Sequence, residues 1–269
     1  MAKRGSVRAG LDRQSPVIGG IAAIVLIFLA LAIWPAPFDR LRLAFFDALQ
    51  RAAPWTGERA AVAVVHIDEA SLVRFGQWPW PRTVLAEMIE RLRRLGAASI
   101  AFDAVFPEPD RSSPGRIVGD LPAPVRERLA DVAASLPDYD ASFAAAVGQG
   151  GVTLGFGLLT VDNQTRVEPK AALAVIGGDP AETLPQFAGA VTNLPAFDSA
   201  AAGLGGFTIA AGRDEIVRRL PMLMMVAGRL VPSLSLEALR VASGEDTLRV
   251  RLERSAPDQP VTAITVRLG

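Results

Sequence analysis

The chain of 269 residues contains no cysteine. That one absence excludes disulfides, thiolate metal sites and cysteine nucleophiles together. There is a single histidine, His66, so a His-rich zinc site or a Ser-His-Asp relay is hard to assemble. Basic charge is not in excess: Lys+Arg 28 balances Asp+Glu 28, and no basic stripe with interleaved aromatics occurs. Nucleic acid is therefore not expected as a partner. No G-x-G-x-x-G follows the first strand-like run, and neither a Walker-type lysine loop nor a G-x-S-x-G elbow is present, so no cofactor is expected. Gly203-Leu204-Gly205-Gly206 reads as a turn. Lysine is nearly missing too, with Lys3 and Lys170 alone against many arginines, which we read as compositional bias.

Charge itself is missing from Ser15 to Phe38. Within that stretch, Val17 to Trp34 would span about 27 Å as a helix, at about 1.5 Å per residue, close to a bilayer core of about 30 Å. Lys3, Arg4, Arg8 and Arg13 flank it on the amino side, which predicts a cytoplasmic amino terminus and translocation of the rest. The run is longer than a usual signal-peptide core, and Pro35-Ala36-Pro37 is a poor cleavage exit, so an uncleaved anchor is expected. The sequence therefore divides into a cytoplasmic tail (1–14), a transmembrane signal-anchor (15–37) and one outer domain (38–269), located at the inner membrane with its main mass periplasmic. Phe38 to Ala53 patterns as a short helix leading out of the membrane, read either as a rigid stalk or as a helix that packs on the domain.

The stretch Val62 to Phe106 organises that domain. It reads as strand VAVVHID, loop EASLVRFGQWPW, helix PRTVLAEMIERLRRLGA and strand SIAFDAVF. Val84, Leu85, Met88, Ile89, Leu92 and Leu95 recur at helical spacing, and Gly96 is placed to close the helix. Two strands joined by a helix predict a βαβ crossover, and hence an α/β fold with a βαβ-containing mixed sheet covered by helices and preceded by one transmembrane helix. Further on, helices are expected at Pro124–Ser135, Asp138–Val147 and Ser233–Ala242. Strands are expected at Val152–Leu159 and Leu204–Ile209, in a hairpin turning at Ala227-Gly228, and in a pair formed by Thr247–Leu252 and Val261–Leu268. His66 is expected in the core.

Asp68 and Asp103 fall at the carboxyl ends of the two predicted strands, where open α/β sheets place ligands. With Glu69 and Glu108 they form a carboxylate set able to hold Mg²⁺ or Ca²⁺, the basis of an alternative reading as a membrane-anchored metal-dependent hydrolase. Asp68 suits equally well a structural bond within the turn Asp68-Glu69-Ala70-Ser71. In GQWPWPR, Trp78 and Trp80 make a stiff aromatic loop that either stacks on a ligand or plugs the sheet end against the helix. Arg82 is placed to pair with Asp68 or Asp103. Asp68, Glu69, Trp78, Trp80, Arg82 and Asp103 are thus the candidate ligand-binding residues, with no catalytic residue and no metal site assigned.

Taken in order, VAVVHIDEASL, GQWPWPR, LRRLGA, IAFDAVFPEPD, DASFAAAV, GRDEIVRRLP and VPSLSLEALR closely resemble the second type of CHASE domain, an extracellular sensor associated with bacterial adenylate/guanylate cyclases and histidine kinases. The resemblance implies receptor work. An outer domain senses a ligand or a partner protein, and the effector is a class III nucleotide cyclase or, in other members, a histidine or Ser/Thr kinase. A homodimer is compatible with this, and the ligand is not specified. Asp214-Glu215-Ile216 departs from the family's Asp-Gly-Val. No second hydrophobic span or effector follows Trp34, so the chain reads as the amino-terminal fragment of a longer receptor.

Overall fold

A computed structural model of the chain describes residues 19–27, 29, 36–54, 62–208, 216–254 and 261–269. It divides into two compact units, Met1–His66 and Ile67–Gly269. In the first unit, residues 19–27 and 29 are helical and exposed. Helix α1 (Ala36–Ala52) follows where the stalk helix is expected, with Leu41, Phe45 and Leu49 exposed. Among the described residues no helix is long and apolar enough to cross a membrane. The expected tail, and residues 15–18, 28 and 30–35 of the expected span, lie outside the described residues, as do Asp214 and Glu215.

The first strand of the expected crossover is not formed. Among the described residues, 62–68 form no strand, Val62 and Val64 are 77% and 86% exposed, and His66 is exposed and not in the core. An apolar run favours extended backbone, but a strand exists only where its backbone groups meet a partner edge.

In the second unit the central sheet has β1 (Ile100–Phe102), β2 (Val152–Leu159) and β6 (Gly203–Gly206) parallel in the order β1-β2-β6. Strand β5 (Gly189–Val191) runs antiparallel to the end of β2. The parallel crossover therefore leaves β1, and the segment joining it to β2 carries α4 (Pro114–Gly119), α5 (Ala123–Ser135) and α6 (Tyr139–Gly148). A second sheet has the order β10-β9-β3, from β3 (Ala172–Ile176), β9 (Thr247–Arg254) and β10 (Val261–Leu268). A third joins β4 (Gln186–Phe187), β7 (Leu223–Val226) and β8 (Arg229–Pro232). The β7–β8 hairpin turns at Ala227-Gly228, both at positive φ, as read from the sequence.

Helix α3 (Arg82–Arg94) buries Leu85 and Ile89 and closes before Gly96, whose φ is +88°. Helix α6 begins at Asp138, whose carboxylate accepts the amides of Asp140 and Ala141, satisfying N–H groups that the helix leaves unpaired. These helices pack with Val152, Leu154 and Phe156 into one core. Phe106, Phe143 and Phe197 meet edge to face within it, at centroid distances of 5.0 to 6.4 Å, the geometry that ring quadrupoles prefer.

Gly203-Leu204-Gly205-Gly206 is a strand, not a turn. Its bare backbone admits helix α8 (Leu234–Ser243), which lies against β6, β2 and β1. A Cβ on Gly205 would strike the backbone of Ser233 and Leu234, and one on Gly203 would fall 2.8 Å from Glu237 Cγ. Arg240 holds that buried Glu237 with two bonds of 2.9 and 2.8 Å. It also donates to the carbonyls of Ala202 and Glu245, so the charge pair is satisfied where it is buried. Gly205→Ala should lower stability by about 1 to 3 kcal/mol, read as a fall in thermal midpoint, because helix backbone cannot step aside as a side chain can.

Candidate functional site

The site is built where the aromatic loop enters α3. Helix α2 (Glu69–Phe75) ends at Gly76, whose φ of +91° redirects the chain. The Trp80 indole N–H then donates back to the Gly76 carbonyl at 2.8 Å. Trp80 is buried and packs edge-on against Phe75 and Trp78, at 5.2 and 5.9 Å. Trp78 stays 39% exposed. Trp80 is thus the plug of the second reading, while Trp78 faces water.

Pro81 gives α3 no side-chain cap. The cap comes from 28 residues away: Asp110 Oδ2 accepts the Arg82 amide at 2.6 Å. A carboxylate at a helix amino end also meets the positive end of the helix dipole. The Arg82 side chain turns inward, 6% exposed, with its guanidinium 4.5 Å from the Phe106 centroid. Its Nη2 donates to the Glu108 carbonyl at 3.3 Å, and its Nε lies 3.7 Å from Asp140 Oδ1 without a hydrogen bond. Asp140 in turn accepts the Asp110 amide at 3.0 and 3.2 Å. Arg82 thus meets Asp110 and Asp140, not Asp68 or Asp103 as expected. The reason is local: the guanidinium follows the core face of α3, where Phe106 covers it.

The two carboxylates titrate in opposite directions. Burial disfavours ionisation of Asp110, but bonds from the Arg82 amide and from the Ser112 amide and hydroxyl, helped by the Arg82 charge, hold its pKa below the usual range. Burial raises Asp140, and the nearby Asp138 and Asp110 charges add to the rise against the Asp110 amide and Arg82. Burial likewise lowers the pKa of Arg82, opposed by Asp140 and Asp110. Beside this cluster an open depression of about 360 Å³ is lined by Glu108, Pro109, Arg111, Arg116 and Asp120.

The remaining expected residues are spread out. Asp68 caps α2, accepting the Ser71 amide at 2.9 Å and its hydroxyl at 2.7 Å, which is the turn-bonding role. Glu69 stands in the first turn of α2, and Asp103 follows β1, both exposed. Among the described residues no group of three or more His, Asp or Glu is arranged to hold a metal ion. The sequence pattern does not single out Asp110 and Asp140 as site residues, although FPEPD and DASFAAAV carry them. Asn193 gives no signal either. It accepts the Phe106 amide at 2.8 Å and donates to Gly155 and Asp198, fixing the loop that covers Arg82.

Three outcomes are expected. Arg82→Leu should cost about 3 kcal/mol, since it strands two partly buried carboxylates, and chemical denaturation reads the loss. Trp80→Ala should cost about 3 to 5 kcal/mol, against about 1 or less for exposed Trp78→Ala, measured the same way. The pH dependence separates the carboxylates. A raised folded pKa means that the contribution of Asp140 is present at low pH and lost as pH rises through that pKa. A lowered one means that the contribution of Asp110 is present above the usual carboxylate range and lost as pH falls through it. Stability curves of wild type minus Asp140→Asn should therefore fall with rising pH, and wild type minus Asp110→Asn should rise.

A family model described as the CHASE2 domain matches residues 22–267. No curated protein and no solved structure matches the chain. The match takes in the aromatic loop, the Arg82 cluster, the glycine strand and all three sheets, and it shows that the chain belongs to the CHASE2 domain family, the extracellular sensory domains of signalling proteins.

Proposed function

We propose that residues 38–269 are the extracytoplasmic sensor of a membrane-anchored receptor, held by a single span over residues 15–37, and that its output is a class III adenylate or guanylate cyclase. The observation that carries this reading is the family match over residues 22–267. The charge-free stretch from Ser15 to Phe38, with Lys3, Arg4, Arg8 and Arg13 ahead of it, supports the anchor and its orientation. The exposed Trp78, Asp68, Glu69 and Asp103 are the proposed ligand contacts, with buried Trp80 and Arg82 holding the loop from beneath. Sensing requires a ligand that binds two states of the domain with different affinity, and the segment linking it to the span is α1.

Two measurements test this reading. Alkaline phosphatase fused after Gly269 should be active, and a fluorescent protein that matures only in the cytoplasm should stay dark at the same position. The opposite pattern would overturn the topology. The reading frame beyond Gly269 should add apolar spans of about 20 residues and then a nucleotide cyclase module. A kinase module there would retain the sensor and replace the output, and a stop codon would remove the receptor reading.

A further inference from the structure

The exposed face of the second sheet carries a cationic platform. Along β9, Leu248, Val250 and Leu252 are buried while Arg249, Arg251 and Glu253 alternate outward. The register sets Arg267 of β10 directly opposite Arg249, and Thr265 opposite Arg251. Ala174 and Ile176 of β3 stand beside Arg249 and Arg251 on the other side. Arg249, Arg251 and Arg267 are exposed, and among the described residues no carboxylate pairs with them. Among the described residues the carboxylate on this face is Glu253, the next outward position along β9 from Arg251, where it accepts the Thr265 hydroxyl at 3.0 Å. Like charges directly opposite on neighbouring strands repel, and a favourable setting for these three lies in an anionic partner.

We propose that this face docks on anionic phospholipid headgroups. The residues that the register sets beside Arg249 and Arg251 are Ala174, Ile176 and Thr265, none longer than isoleucine, so the surface suits a plane of phosphates better than an enclosed small molecule. Each guanidinium presents a planar fork of donors that matches phosphate oxygens. Ile176, 58% exposed at the border of the face, adds an apolar contact for the interface. The inference rests on the anchored reading above. A tether at the bilayer supplies the high local concentration that lets a weak surface site fill.

The full chain provides a clean test because it has no cysteine, so Ala174→Cys can carry the only label. The labelled chain is placed in nanodiscs of phosphatidylcholine alone or with phosphatidylglycerol, and quenching by headgroup nitroxide lipid is read. Quenching is expected in the anionic discs alone, falling as salt screens the charges, and weakening about fivefold for each arginine changed to Gln. Arg249→Lys, which keeps the charge, should retain most of it. Removing like charges should leave the thermal midpoint unchanged or raise it, so the Gln variants remain folded. Equal quenching in both lipids, or no change in the triple Gln variant, overturns the platform. Binding of soluble polyphosphate through these arginines without lipid-dependent quenching also overturns it, in favour of a free polyanion. Co-elution with neutral discs reports the anchor separately. If it is lost while anionic, arginine-dependent docking persists, the anchor reading fails and the platform stands. If the chain associates with neither disc, both fail.

Discussion

A buried cation in a chain without disulfides is the constraint on which the sensor core depends. Arg82 sits at the start of α3 with its guanidinium over Phe106, and Asp110 and Asp140 reach it from the loop after β1 and from the start of α6. Three segments far apart in sequence are thereby held at one point. Such an arrangement is stable only if its donors and acceptors are nearly all satisfied, since an unpaired charge in a protein interior is strongly penalised. The Arg82 amide, the Asp110 amide and the Glu108 carbonyl each find a partner within the cluster. Arg82 Nε is buried without a hydrogen-bond partner.

The same economy recurs on the other side of the sheet. Helix α8 approaches β6 because that strand has glycine at positions 203 and 205, and the close approach buries Glu237 completely. Its charge is compensated by Arg240 three residues along the same helix, and the remaining guanidinium donors reach the carbonyls of Ala202 and Glu245. Packing and charge pairing are coupled here, because the space that lets the helix in is also the space that removes water from the carboxylate. Around these two fixed points the aromatic loop, the depression at Glu108 to Asp120 and the arginine face of the second sheet lie at the surface, where sensing has to occur.

Part of the candidate site is legible in the amino-acid sequence. GQWPWPR marks a stiff aromatic loop, and Arg82 reads as a cation in need of a carboxylate. Its partners are not legible, because Asp68 and Asp103 look adjacent only if Val62–Asp68 is a strand. Among the described residues that segment is not a strand, and the supposed sheet-edge carboxylates are a helix cap and an exposed residue after β1. FPEPD and DASFAAAV contribute to the family resemblance, yet nothing in their spacing says that they meet at Arg82.

The features legible along the chain are mostly local. Helical periodicity placed α3, Ser233 and Gly244 bounded α8, Ala227-Gly228 turned a hairpin, alternation paired β9 with β10, and motif order identified the CHASE2 family. All but the motif order depend on residues within a few turns or strands of one another, and the motif order is read along the chain without any contact, so the chain encodes them directly. The tertiary structure alone decided which apolar run became a strand, that a glycine quartet is sheet and not turn, which carboxylates surround Arg82, and that Arg249 faces Arg267 across two strands. These depend on which surfaces lose water together, and burial is a property of the assembled core that no short stretch of sequence contains.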